Sequence, residues 1–252
     1  MSALLSASRL HRRFGHLWAL AGVDLELAPG ARHAVIGPNG AGKTTLLNLI
    51  AGTVRPSSGR ILLDGDDITA TSAARRSRLG IARTFQTPAL CASLSALDNL
   101  ILGAWRHARP TAGQWRPGRY RRLAVRCLRQ LDRLGIGHLA DHPVHTLSHG
   151  QRRLLEIAVA LAAHPRLLLL DEPAAGLSDS DLPHLVTCLR RLPAAVTVLL
   201  VEHDQALVAA VAEVVTVLHH GQRLASGTPE QVATDPAVAE VYLGTPPAGE
   251  GR

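Results

Sequence analysis

Near the N-terminus apolar and polar residues alternate over short stretches, and further along the chain the apolar positions gather into runs and helical spacings. Leu4–Leu10, Val23–Leu27 and Arg32–Ile36 read as strands, the last after the turn Pro29-Gly30. Gly37–Gly42 is a glycine-rich loop, and Thr44–Ala51 spaces Leu46, Leu47, Leu49 and Ile50 as a buried helix would. Arg60–Leu63 predicts another strand, closed by Asp64-Gly65. From about Cys91 to Leu155 helix formers dominate, with breaks at Pro110, Pro117 and Gly135-Ile136-Gly137, so a helical insertion is expected there. Gln151–Ala163 carries Leu154, Leu155, Ile157, Ala158 and Leu161 on one face and stops at His164-Pro165. Strands at Leu167–Leu170, Val196–Val201 and Val214–Leu218 then alternate with helices at Leu182–Leu192 and Gln205–Ala212, the pattern of a largely parallel α/β sheet. Thr228-Pro229-Glu230-Gln231 is a capping box that opens a short helix, and residues 245–252 read as a disordered tail.

Two segments in this frame carry chemistry. Gly37-Pro38-Asn39-Gly40-Ala41-Gly42-Lys43-Thr44 matches G-x-x-x-x-G-K-[ST] between a predicted strand and a predicted helix. Glycines there let successive backbone N–H groups converge on phosphate oxygens, and the helix start adds its positive dipole end. Lys43 is expected to reach the β and γ phosphates of a nucleotide and the Thr44 hydroxyl to ligate Mg²⁺, with Thr45 beside it. Downstream, the apolar strand ends in Asp171-Glu172. Asp171 is placed to hold the metal through water, and Glu172 to polarise an attacking water.

Composition narrows the setting. The formal net charge of +7 suits nucleic acid, an anionic membrane face or an anionic ligand, and does not choose among them. Lys43 is the only lysine in a chain that otherwise uses arginine, which points to a compact ammonium being needed at that one position. Arginines crowd the stretch 106–133, at 106, 109, 116, 119, 121, 122, 126, 129 and 133. The plain reading of that stretch is a solvated helical face, with attraction to an inner leaflet or a partner as the alternative. Cys91, Cys127 and Cys188 are odd in number and far apart, which suggests neither a disulfide framework nor a zinc site and fits a reducing compartment. The N-terminus shows no export signal, and no apolar run approaches the ~18 residues of a membrane span.

Taken in order, the phosphate loop, Gln86 in Arg83-Thr84-Phe85-Gln86, Leu147-Ser148-His149-Gly150-Gln151, Asp171-Glu172-Pro173 and His203 in Val201-Glu202-His203-Asp204 resemble the ABC ATPase family. The resemblance implies an α/β phosphate-loop nucleoside triphosphatase fold: a RecA-like core, an antiparallel β subdomain and an inserted helical subdomain within a cassette spanning 1–244. It implies two cassettes sandwiching two ATPs, identical or paralogous. Ser148, His149, Gly150 and Gln151 would then meet the γ-phosphate held by the sister cassette. Gly37, Asn39, Gly40, Ala41, Gly42, Lys43, Thr44 and Thr45 would cradle the cassette's own nucleotide. Gln86 would ligate metal or water and report γ-phosphate occupancy, and His203 would contact the γ-phosphate and orient Glu172. Phe14 falls where the family stacks an aromatic on adenine, and from its pattern it is equally a core residue. Ser178 in Ala175-Gly176-Leu177-Ser178-Asp179 replaces the family's usual aspartate. The remaining histidines, His142, His145, His219 and His220 among them, read as surface residues.

Within the family, Gly80-Ile81-Ala82-Arg83-Thr84-Phe85-Gln86, Asp171–Leu177 and Asp235–Gly244 are similar to ATP-binding subunits of branched-chain or hydrophobic amino-acid importers, with urea and short-amide importer subunits nearby. That kinship implies two permease subunits as partners, a periplasmic binding protein acting indirectly, and a peripheral position on the cytoplasmic membrane face. Nucleic acid is not expected as a partner, because one cassette without sustained heptads departs from nucleic-acid-acting relatives. A phosphate-loop GTPase would need the lysine of N-K-x-D, and no second lysine exists. A non-hydrolysing regulatory cassette is disfavoured by Lys43, Asp171, Glu172 and His203 and kept open by Ser178.

Overall fold

The computed structural model describes residues 3–84, 90–107 and 117–243. The first elements are β1 (Leu5–Phe14), β2 (Leu17–Leu27), β3 (Arg32–Ile36), α1 (Lys43–Ala51), β4 (Ser58–Leu63), β5 (Asp66–Asp67) and α2 (Ala73–Arg78). There follow β6 (Ile81–Arg83), α3 (Ala96–His107), α4 (Pro117–Arg133), α5 (His149–Ala162), β7 (Leu167–Asp171) and α6 (Leu182–Arg190). The chain closes with β8 (Thr197–Val201), α7 (Gln205–Val211), β9 (Val214–His219), β10 (Gln222–Gly227), α8 (Pro229–Ala233) and α9 (Pro236–Leu243). Contacts divide the chain into two units, Met1–Arg76 with Thr197–Arg252, and Ser77–Val196.

The first unit holds an antiparallel sheet in the order β2-β1-β4-β5. It also holds the strands β10-β9-β3-β8, in which β3 runs parallel to both β8 and β9. Ala34, Val35, Val198, Leu199, Leu200 and Val201 are buried, as expected of parallel strands covered on both faces. Beneath α1 lies Arg76, which is fully buried. All five of its N–H groups donate to carbonyls, those of Leu49, Ile50, Ile68, Thr69 and Thr71, at 2.6–3.0 Å. Two of these carbonyls belong to the last turn of α1, where that of Leu49 also accepts from the N–H of the C-cap Gly52 at 3.2 Å. Burial pushes the Arg76 guanidinium down to about 10.

In the second unit β6 pairs in parallel with β7, and α3, α4 and α5 pack on one another. Leu154, Leu155, Ile157, Ala158 and Leu161 of α5 are buried, the face that their spacing predicts. In α4 the inward residues are Cys127 and Leu131, while Arg121, Arg122, Arg126, Arg129 and Arg133 are exposed. Pro117, expected as a break, instead opens α4, where a missing N–H costs nothing.

Some elements escape the hydrophobic pattern. β10 is almost wholly exposed and so shows no alternation. It forms because His220 and Gly221 take successive positive φ values, 47° and 74°, which suit a two-residue hairpin turn back from β9. The capping box at Thr228 is formed as the sequence predicts: Gln231 N–H donates to Thr228 Oγ1 at 3.3 Å, and Thr228 N–H to Gln231 Oε1 at 2.9 Å. All three cysteines are free. Among the described residues no helix is long and apolar enough to cross a membrane.

Candidate nucleotide-binding and hydrolysis site

In the first unit β3 runs straight into the phosphate loop and α1. Gly37 and Gly42 adopt φ values of 148° and 101°. A Cβ at Gly37 would lie 2.1 Å from Leu218 O, and one at Gly42 2.4 Å from Ala19 O, so neither place tolerates a side chain. Gly42 is also the N-cap of α1, and no side chain caps that helix. The N–H groups of the first turn therefore face outward without the usual Ser, Thr or Asp acceptor, the local chemistry of an anion site. Lys43 is buried and bends back over the loop, donating to Gly37 O at 2.7 Å and Pro38 O at 3.0 Å. Asn39 and Gly40 are exposed at the tip, Ala41 is buried, and Thr44 and Thr45 are half-buried at the helix start.

β8 lies beside β3 in parallel register, Val35 opposite Val201, so the loop after Ile36 and the segment Glu202-His203 leave the same end of the sheet. In open α/β sheets that end is where ligands bind. Glu202 is fully buried, and its Oε2 accepts from the N–H groups of His203 at 2.7 Å and Asp204 at 3.3 Å. The same oxygen is 3.3 Å from Nδ1 of His203, whose ring is otherwise exposed, and Asp204 caps α7 through Leu207 N–H. Glu202 thus orients His203 from beneath, a role the motif alone did not assign. Also in this unit, Tyr242 of α9 places its hydroxyl at the backbone of Gly37, and burial pushes the phenol up. Phe14 at the end of β1 is exposed and carries the Arg12 guanidinium 4.4 Å above its ring. Of its two readings, core residue is therefore excluded. Three histidines also depart from the surface reading: His33 is buried against Thr216 at 2.9 Å, and His11 and His219 are half-buried.

In the second unit β7 is buried along its whole length and delivers Asp171, with no exposure, to its end. Oδ2 of Asp171 is paired with Arg83 of β6 at 2.9 Å. Oδ1 has no hydrogen-bond partner among the described residues. A buried carboxylate oxygen left in this way is a fitting acceptor for metal-bound water, and hard oxygen donors such as Asp171 and the Thr44 hydroxyl suit Mg²⁺. Glu172 follows in the left-handed region, φ 46°, a strained backbone for a non-glycine residue. The strain is held by Arg153 of α5. Its guanidinium donates to the carbonyls of Asp171, Glu172 and Pro173 at 2.9, 2.7 and 3.1 Å, and it is paired with buried Glu156 at 2.8 Å. Burial raises the Glu156 carboxyl, an effect that Arg153 opposes.

The same helix begins at the predicted signature. Ser148 is its N-cap and forms a capping box with Gln151: Gln151 N–H donates to Ser148 Oγ at 3.2 Å, and Ser148 N–H to Gln151 Oε1 at 2.9 Å. His149 is exposed, and its Nε2 lies 3.2 Å from Ala175 O. Gly150 is buried against Asp181, and Ser178 donates through Oγ to that carboxylate at 2.6 Å. Ser178 therefore has a local partner in place of the missing aspartate. Gln86 lies outside the described residues.

The structure thus brings the phosphate loop together with His203 in one unit, and Asp171 and Glu172 together with the signature helix in the other. Arg153, Glu202 and Arg83 were not singled out from sequence. A signal for Arg153 existed, since it and Glu156 are charged positions on an otherwise apolar helical face.

The ABC transporter family model matches residues 20–175, and a branched-chain amino acid ATP-binding cassette transporter model matches residues 222–248. The chain is 38% identical to the high-affinity branched-chain amino acid transport ATP-binding protein BraF of Pseudomonas aeruginosa, over 96% of this chain and 98% of that one. It is 36% identical to LivG of Escherichia coli strain K12, a protein of the same description, with the same coverage. It is also 36% identical to the lipopolysaccharide export system ATP-binding protein LptB of Acidithiobacillus ferridurans, over 97% and 98%. Among solved structures, a nucleotide-free ATP-binding cassette from an ABC transporter superposes with a TM-score of 0.84 at 29% identity, covering 97% of this chain and all of the other. Likeness of this length makes the chain a member of the ABC transporter family, whose cassettes hydrolyse ATP to drive transport.

Proposed function

We propose that the chain is the ATP-hydrolysing subunit of an importer of branched-chain or similar hydrophobic amino acids. It would work as one of two cassettes at the cytoplasmic face of the membrane beneath two permease subunits fed by an external binding protein. The observation that carries this reading is the C-terminal match at 222–248 to the branched-chain transporter model. Overall identity separates cargoes poorly, since the amino-acid and lipopolysaccharide relatives lie at 38% and 36%.

In this reading the loop N–H groups and Lys43 hold the nucleotide phosphates, and Phe14 stacks on the adenine. Thr44, Asp171 and Gln86 would hold Mg²⁺, which when bound neutralises phosphate charge. Glu172 takes a proton from the attacking water, and His203, steadied by Glu202, faces the γ-phosphate. Ser148 accepts a hydrogen bond from Gln151 yet keeps its own hydroxyl proton, which it would donate to the γ-phosphate on the sister cassette. The N–H groups of His149 and Gly150 open toward the same anion, with Gln151 bracing the turn.

The test is uptake in a strain lacking the gene. Radiolabelled leucine uptake restored by the wild-type chain and not by Glu172→Gln is the expected result. Restoration of urea uptake without leucine uptake would replace the amino-acid assignment with the short-amide one. In purified protein Glu172→Gln should retain ATP binding while hydrolysis falls on the order of 100- to 10,000-fold.

A further inference from the structure

The arginine-rich helix has a feature that ATP hydrolysis does not use. Within the second unit, α4, the end of α5 and the segment after α6 enclose a cavity of about 320 Å³. Its floor is apolar, formed by Cys127, Leu134, Leu161, Ala162 and Val196, all buried. Its walls carry four guanidinium groups, those of Arg126, Arg129 and Arg133 on α4 and of Arg191 beyond α6. Arg126 lies against His164 Nε2, and Arg191 is positioned over Gly135. None of the four is paired with a carboxylate among the described residues, and no Asp or Glu lines the cavity. Three of these cations lie on α4 and the fourth beyond α6, and four guanidinium groups that meet no carboxylate among the described residues, set around an apolar floor, form a constellation that a solvated face does not need.

We propose that this cavity is a binding site for a small apolar-tailed anion, a medium-length alkyl carboxylate or alkyl phosphate, with its head among the arginines and its tail on the floor. The chemistry excludes near neighbours of that class. A zwitterionic amino acid would bring its ammonium into a ring of cations with no acidic acceptor. Inorganic phosphate would satisfy the arginines and leave the apolar floor uncovered. An alcohol of equal length would cover the floor and leave the charge unanswered. Planar, bidentate guanidinium recognition suits carboxylate and phosphate heads alike.

The experiment is calorimetric titration of the full-length protein with octanoate below its micellar concentration at low salt, with leucine, inorganic phosphate and octanol as comparators. The variant is Arg129→Gln with Arg133→Gln, two exposed positions remote from the phosphate loop in sequence, and unchanged ATP affinity confirms that it is folded. Saturable octanoate binding that weakens about tenfold in the double variant and declines with added salt is expected. Absence of octanoate binding, equal binding by the double variant, or leucine or phosphate binding as tightly as octanoate would overturn the proposal. Capture of the protein by phosphatidylglycerol vesicles without any binding of free octanoate would also overturn it, in favour of a surface contact with lipid.

Discussion

Two helices in this molecule begin at the places proposed to meet phosphate, and they begin differently. At the start of α1 the N-cap is Gly42 in a left-handed conformation, with no side chain satisfying the first N–H groups. At the start of α5 the N-cap is Ser148, and a complete capping box binds two of the donors within the chain. An uncapped helix start costs stability until an anion arrives, whereas a capped one is stable alone and has less left to offer. The first therefore suits a primary nucleotide site, and the second a conditional contact made when a sister cassette closes. A helix interior shows the same division: α5 holds the Asp171 and Glu172 carbonyls through Arg153 from its buried face while its start faces outward.

The largest effect expected from breaking this arrangement is at Arg153. Arg153→Ala removes the clamp on the Asp171–Pro173 carbonyls and leaves buried Glu156 without its cation, a loss of about 3–5 kcal/mol. Chemical denaturation measures it. Arg153→Met combined with Glu156→Leu should recover much of the stability but not the activity, because Glu172 would no longer be held at its strained φ of 46°. Recovery of both would show that the clamp is structural only. Next comes Lys43→Ala at the uncapped helix, where loss of the ammonium should cut turnover on the order of 100- to 1,000-fold and weaken ATP binding in the isolated cassette. A loss of turnover with full ATP affinity would contradict the primary role given to the α1 end.

What could be read from sequence follows from where the information lies. The phosphate loop, the apolar strand ending in Asp171 and the α5 face are contiguous or periodic, so spacing alone places them. Arg76, Arg153 and Glu202 are charged residues in buried positions, and apart from the apolar face around Arg153 nothing local distinguishes them from surface residues. Their roles rest on carbonyls and N–H groups brought close by folding, as when Arg76 gathers carbonyls from α1 and from the turn after β5. β10 escaped for the opposite reason. Its side chains face solvent, and only the turn His220-Gly221 marks it.

His33 sharpens the comparison through pH, because it lies on β3, the strand that feeds the phosphate loop. Burial holds its folded value at about 4 against an ordinary 6.5. The unfolded chain therefore takes up a proton that the folded chain refuses, and stability is whole above about pH 6.5 and falls as pH drops toward 4. The full contribution is on the order of 3 kcal/mol. His33→Gln, which keeps a partner for Thr216, should flatten the thermal midpoint between those two pH values. An unchanged slope would assign the acid sensitivity to other groups.

The smallest and most discriminating change is Ser148→Ala. As a cap, Ser148 contributes about 1 kcal/mol, so the midpoint of denaturation should fall slightly. As a donor to the sister cassette's γ-phosphate, it should matter only in the closed dimer, leaving ATP affinity of the isolated chain intact while turnover falls. Ser148→Asp separates the two roles, since aspartate caps a helix as well as serine but sets a negative charge against the phosphate. Restored stability with turnover still lost would place the anion contact at this helix start. Restored turnover would mean that capping was its whole contribution, and that α1 alone meets the nucleotide.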